Sequence, residues 1–247
     1  MTTTVRLNGD GSGTIDHSML ITKAALAQLR QLSALGGGRG QTLDFVSEDQ
    51  AKKMAETLGP GVTYVSSEPI NTPVGEGRNS RYAFTDINTL RISPQPQSPG
   101  GISVKTQAFS PDSNTITCSF AHAANGNGLL TISLPELNLQ SAFGNANTGD
   151  AGITQQLAMA RTLLAGARVL IGVEPVGQLV ATSSPFVDGP QVTLLDVNLD
   201  QVLANEALIA KVQAAKTSEE MKAALTGVPG LRIVLERQVT IEFTPTK

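Results

Sequence analysis

Twelve residues near the start of the chain, Asn8-Gly9-Asp10-Gly11-Ser12-Gly13-Thr14-Ile15-Asp16-His17-Ser18-Met19, carry oxygen-bearing side chains at the spacing of a calcium-binding EF-hand loop. Such a loop needs oxygen ligands at its first, third, fifth, seventh and ninth places, glycine at the sixth and a bidentate glutamate at the twelfth. Asn8, Asp10, Ser12, Gly13 and Asp16 fall on the first, third, fifth, sixth and ninth places, but the twelfth is Met19, whose thioether cannot supply two hard oxygens. The flanks disagree as well. An EF-hand loop joins two helices, whereas Val5 and Leu7 before the glycines and Ile15, Met19 and Ile21 after them keep the parity of strands. The expectation is therefore a hairpin whose turn is built on Gly9, Gly11 and Gly13. A calcium-stabilised module held by Asn8, Asp10, Ser12 and Asp16 stands as the alternative.

Other reactive types are sparse. The two histidines, His17 and His122, each lie in a stretch that reads as strand, and no Gly-x-Ser-x-Gly elbow accompanies them. His17 shares parity with Ile15 and Met19, and His122 with Phe120, so both read as half-buried sheet residues rather than catalysts. The single cysteine, Cys118, alternates with Ile116 and Phe120 and reads as a small core residue. One cysteine excludes an intrachain disulfide and any cysteine-based zinc or iron–sulfur site within this chain. The stretch GGGRGQT has glycines but lacks the lysine and hydroxyl of a phosphate loop, and it follows a helical pattern. Asp196 and Asp200 lie where a strand passes into a helix. They are the carboxylates that an enzyme of unrecognised hydrolytic mechanism would use, although Asn198 or Asp200 in that passage equally suits a helix N-cap. No catalytic residue and no cofactor is assigned, and the chain is expected not to be an enzyme.

The elements that must position these residues follow from punctuation and periodicity. Thr22 is placed to cap a helix through TKAALAQLRQLSAL, and Ser47, with Gln50 three residues on, to cap another that buries Ala51, Met54, Ala55 and Leu58. Strands are expected at GVTYVSS and SRYAFTDI. Beyond the proline-rich 94–101 come a meander through GISVKTQAFS, NTITCSFAH and GLLTISLPE, a helix near 153–164, and strands in ARVLIGVEPVGQLVATSS and GPQVTLLDVN. Short helices near 199–215 and 218–226 and alternating strands in LRIVLERQVTIEF close the chain. The pattern is α+β, with antiparallel sheets packed against amphipathic helices. It divides into a subdomain over 1–93, a linker at 94–101 and a subdomain over 102–247. Two segments, 47–65 and 217–234, repeat the order capped helix, Pro-Gly, β-branched strand, an order that either a plan shared by the two subdomains or helix-stop chemistry alone produces.

With 247 residues, 40% of them hydrophobic, the chain can bury a substantial core. A net charge of -3, 16% charged residues, 4% aromatics and no tryptophan argue against a nucleic-acid partner and against a sugar-stacking floor. No run approaches the ~20 apolar residues of a membrane helix.

Two stretches, VRLNGDGSGTIDHSM at 5–19 and VGQLVATSSPFVDGPQVTLLDVNLDQVL at 176–203, resemble segments of bacterial surface lipoproteins of the LppM-like kind. The first is similar to the hairpin that opens the mature domain after its lipid-bearing cysteine, and the second to a later Gly-x-Val-x-x-Thr-Asn…Asp-Gly…Val-x-Trp hairpin. Ser183 stands in place of that asparagine, Leu194 or Leu195 in place of the tryptophan, and no cysteine precedes Val5. The resemblance implies an exported domain anchored on the outer face of a bacterial membrane through an N-terminal lipid absent from this sequence, with a cytoplasmic location as the alternative. It implies a non-enzymatic binding function toward a lipid or an envelope protein, and it carries over no catalytic residue.

Overall fold

The computed structural model describes residues 1–27, 47–94, 115–135, 166–215 and 217–246. Strand β1 (Thr2–Leu7) and strand β2 (Gly13–Thr22) form the expected antiparallel hairpin, in register from Thr2 opposite Ser18 to Leu7 opposite Gly13. Its turn depends on two glycines. Gly11 has φ +86°, and a Cβ on Gly13 would sit on the Arg6 carbonyl oxygen and 2.6 Å from the Phe84 ring. The turn is docked as well as tight, because Ile87 N–H donates to the Gly11 carbonyl at 2.9 Å.

Thr22 accepts from the Ala25 amide at 3.2 Å and starts the helical residues 23–27; the remainder of that expected helix lies outside the described residues. Helix α1 (Glu48–Leu58) is capped by Ser47, which accepts from Gln50 N–H, and buries Ala51, Ala55 and Leu58. Gly59 ends it. Strands β3 (Val62–Asn71) and β4 (Gly75–Phe84) follow as a hairpin, a 3-10 turn spans Ile87–Thr89, and β5 (Arg91–Ile92) begins the second sheet. The chain continues with β6 (Ile116–His122), β7 (Gly128–Ser133), β8 (Arg168–Pro175), β9 (Gly177–Thr182), β10 (Val187–Asp188) and β11 (Gln191–Asn198). Helices α2 (Leu199–Ala204), α3 (Glu206–Ala214) and α4 (Ser218–Leu225) precede β12 (Leu231–Ile233) and β13 (Gln238–Pro245). The expected strand at GISVKTQAFS, the expected helix near 153–164 and GGGRGQT lie outside the described residues.

The fold is α+β, with two sheets among the described residues. One has eight strands in the order β10-β11-β8-β1-β2-β4-β3, with β12 also on β11; the other runs β5-β6-β7-β13-β9. The second is antiparallel throughout, whereas the first contains one parallel pair, β1 with β8. That pair and the core both cross the 94–101 stretch. Val5, Leu7, Ile15, Tyr82 and Phe84 pack in one buried cluster with Ile116, Leu130, Ile132, Val239, Ile241 and Phe243. A smaller cluster of Val202, Leu208, Val212, Leu225 and Leu231 holds the three late helices against β12. The two helix–Pro-Gly–strand segments both fold as read, but their strands take different places: β3 is an edge strand beside β4, and β12 lies beside β11.

Candidate functional site

Inward-facing residues of the eight-stranded sheet form rows across the strands, because directly paired residues share a face. One row runs Val173, Val5, Ile15, Tyr82, Tyr64 from β8 to β3, and it is apolar or aromatic throughout. The next row runs Ile171, Thr3, His17, Ser80, Ser67. Thr3, His17 and Ser80 are all buried, with His17 8% exposed. Four polar side chains thus stand side by side on the inner face, beyond the aromatic end of the core.

Buried polar groups are costly unless hydrogen-bonded, so each partner matters. Ser67 Oγ lies 2.7 Å from the Tyr64 hydroxyl and accepts from the Arg78 guanidinium at 2.8 Å. The Tyr82 hydroxyl donates to the Ala51 carbonyl at 2.9 Å and ties α1 to the sheet; burial, the largest effect, pushes the Tyr82 phenol up, against the smaller opposing influence of the Ser80 hydroxyl. Thr3 Oγ1 lies 3.0 Å from His17 Nδ1. His17 Nε2 is the exception: it is buried and has no hydrogen-bond partner among the described residues.

The electrostatics keep this imidazole neutral. Burial first, and the nearby N-terminal ammonium second, push its pKa down from 6.5 to about 4. That ammonium is placed by β1, since the Met1 amino group donates to the Arg168 carbonyl at 2.5 Å and the Met1 carbonyl accepts from Leu170 N–H at 2.9 Å. Among the described residues no carboxylate contributes to the His17 shift, so none of them supplies this cluster with the orienting acid of a catalytic triad. A neutral imidazole with one ring nitrogen engaged by Thr3 can offer the other as a single directed hydrogen-bonding point to a bound molecule.

The other residues singled out from the sequence are dispersed. In the glycine turn, Asp10 Oδ1 accepts from the Ser12 hydroxyl at 2.6 Å and the Ser12 amide at 2.9 Å, bonds that hold the Asp10 carboxyl below its usual value. Asn8 donates to Ser12 Oγ at 3.0 Å. Asp16 is on the outer face of β2, where Arg81 meets it at 2.7 Å and Arg6 at 3.6 Å. Strands, not helices, flank the turn, and its oxygens are engaged by one another or by guanidinium groups. No group of three or more His, Cys, Asp or Glu residues suited to a metal occurs among the described residues.

His122 is exposed on β6, with its ring 5.3 Å from that of Phe120 in an edge-on contact, and so is less buried than its parity suggested. Cys118 packs against the core while partly exposed, and burial pushes its thiol up to about 12. Asp196 receives a two-pronged contact from Arg168 at 2.7 and 2.8 Å, whereas Asp200 accepts the Gly166 amide on both oxygens at 2.8 and 2.9 Å. Each carboxylate has its own partner. Asn198, accepting from Gln201 N–H at 3.3 Å, is the residue that caps α2.

Sequence reading singled out His17 but missed Thr3, Ser67 and Ser80. Thr3 and Ser80 hold the inward parity of Val5 and Tyr82, and a polar residue at an inward position was the available signal. A bulge between Tyr64 and Ser66 shifts the parity of β3, so Ser67 left no comparable trace. No helix among the described residues is long and apolar enough to cross a membrane. No protein-family model, curated protein or solved structure matches the chain.

Proposed function

We propose that the chain is a non-enzymatic domain of the bacterial cell envelope that binds a hydrophobic ligand, or else a protein partner, at the polar row on the inner face of its larger sheet. The observation that carries this proposal is the buried His17 Nε2, unpartnered among the described residues and set between the apolar row of Val5, Ile15 and Tyr82 and the next inward residue of β2, Met19. Ligand sites are mainly apolar with a few placed polar groups, and an inward-facing imidazole beside Thr3 and Ser80 meets that description. The envelope location and the lipid character of the ligand rest on the likeness of 5–19 and 176–203 to LppM-like lipoproteins.

Several features favour binding over catalysis. A histidine with a pKa of about 4 is a weak general base near neutral pH, a thiol near 12 is a poor nucleophile, and Asp196 and Asp200 are engaged separately. The test is to extract the purified protein with organic solvent and analyse the extract by mass spectrometry, for the wild type and for His17→Leu. A compound released by the wild type and depleted in the variant is the expected result. Repeatedly empty extracts would remove the ligand form of the proposal and leave only the protein-partner form.

A further inference from the structure

Asn-Gly pairs occur three times in the chain, at 8–9, 125–126 and 127–128. This dipeptide carries a reaction of its own. The glycine nitrogen, once it has given up its proton, attacks the asparagine Cγ; the Cγ–Nδ2 bond breaks, ammonia leaves and a five-membered succinimide remains. Water then opens the ring to aspartate or isoaspartate, so an amide becomes a carboxylate with no oxidant, reductant or enzyme. Glycine suits the step because it has no Cβ to obstruct its nitrogen or to restrict the backbone. In a folded chain the glycine N–H must first leave its hydrogen bond and the backbone must turn toward the side chain. The cost of that local opening therefore ranks the sites.

The fold separates the three pairs. Gly9 is pressed against Pro245, and Asn8 is fastened by its amide to the Ser12 carbonyl at 2.8 Å and by its carbonyl to Gly11 N–H at 3.2 Å. Gly128 is buried in β7, opposite His122 of β6 and Phe243 of β13, and a Cβ there would lie 2.7 Å from the Phe243 ring and 2.9 Å from the Phe120 ring. Asn125 and Gly126 are both exposed in the turn from β6 to β7, where Gly126 N–H is held by the turn's own bond to the Ala123 carbonyl at 2.9 Å. We infer that Asn125 is the site at which this chain deamidates spontaneously, and that the carboxylate so formed uncouples the β6–β7 turn from β13. The coupling runs through Glu242. Asn125 Nδ2 donates to Glu242 Oε1 at 3.1 Å, and Asn127 Nδ2 donates to the same oxygen at 2.7 Å. These amides, Asn127 first and Asn125 second, hold the Glu242 carboxyl below its usual value. A carboxylate at position 125 removes one of the two donors and sets like charge against Glu242. Isoaspartate goes further: it adds a methylene to the main chain, so the Gly126 bond to Ala123 and the bond from Asn127 N–H to Asn125 Oδ1, at 3.0 Å, lose their geometry.

The other two pairs supply internal controls. The purified protein is held in mildly alkaline buffer, native or in urea, then digested and fragmented by mass spectrometry, which places each gain of about 1 Da on Asn8, Asn125 or Asn127. In the native protein Asn125 is expected to lose its amide at least about tenfold faster than the other two, and in urea all three are expected to react at similar rates. In a second arm, Asn125→Asp is expected to melt about 2 °C below Asn125→Ser at neutral pH, and the gap to close on a Glu242→Gln background. An Asn125 that keeps its amide, an Asn8 or Asn127 that reacts as fast in the native protein, or the same preference for Asn125 in urea overturns the site. Equal melting temperatures for Asn125→Asp and Asn125→Ser overturn the coupling to β13.

Discussion

His17 converts burial into a pH dependence whose sign follows from its depressed pKa. Above 6.5 the imidazole is neutral both folded and unfolded and contributes no slope. Between 6.5 and about 4 the unfolded chain takes up a proton that the folded chain does not, so stability falls as pH falls. The full loss is about 3 kcal/mol. Denaturant unfolding of wild type and His17→Gln across this interval is expected to show a steeper decline for the wild type; parallel profiles would mean that the ring is not buried neutral. At Cys118, a thiol pushed from 9.0 to about 12 holds roughly a thousandfold less thiolate at pH 8 than an unperturbed one. A disulfide reagent is therefore expected to react far faster with the urea-unfolded protein than with the native one, and equal rates would contradict the packing. The sequence marked both residues as inward-facing by alternation. It could not show that Thr3 and Ser80 flank His17, because that depends on the register of three strands, and alternation along any one strand is silent about register.

At the scale of elements, local chemistry was the most readable part of the chain. Thr217 and Glu220 form a reciprocal capping box at the start of α4, with bonds of 3.1 and 3.3 Å. Thr217→Ala is expected to cost about 1 kcal/mol in denaturant unfolding, by removing the acceptor for the Glu220 amide. The β1–β2 hairpin was equally legible, since three glycines interrupt an otherwise regular alternation. Gly13→Ala forces a Cβ onto the Arg6 carbonyl and the Phe84 ring, and is expected to cost about 3 kcal/mol or more, because backbone cannot move aside without opening the hairpin. Millimolar calcium is expected to leave the melting temperature unchanged, since Asp16 is held by Arg6 and Arg81 on the outer face. A rise of several degrees would restore the metal reading of this turn.

Across the whole molecule, what the sequence concealed is the parallel pairing of β1 with β8, strands more than 150 residues apart. Parity predicts that each is a strand with one inward face, but nothing local says which strand lies beside which. The proline-rich stretch therefore looked like a boundary, although backbone pairing and the main core join residues on both sides of it. Residues 1–93 expressed alone are expected not to fold, because β1 would lose one neighbour and Val5, Leu7 and Ile15 much of their cover; a well-dispersed NMR spectrum would contradict this. The central claim concerns the polar row that this arrangement places beyond the core. Its most direct test is long-range 15N–1H NMR of the imidazole nitrogens of His17 at neutral pH, before and after organic extraction of the protein as purified. The expected result is a hydrogen-bonded Nε2 whose shift moves on extraction while Nδ1, engaged by Thr3, stays in place; an Nε2 resonance identical in the two samples would contradict a ligand at this row.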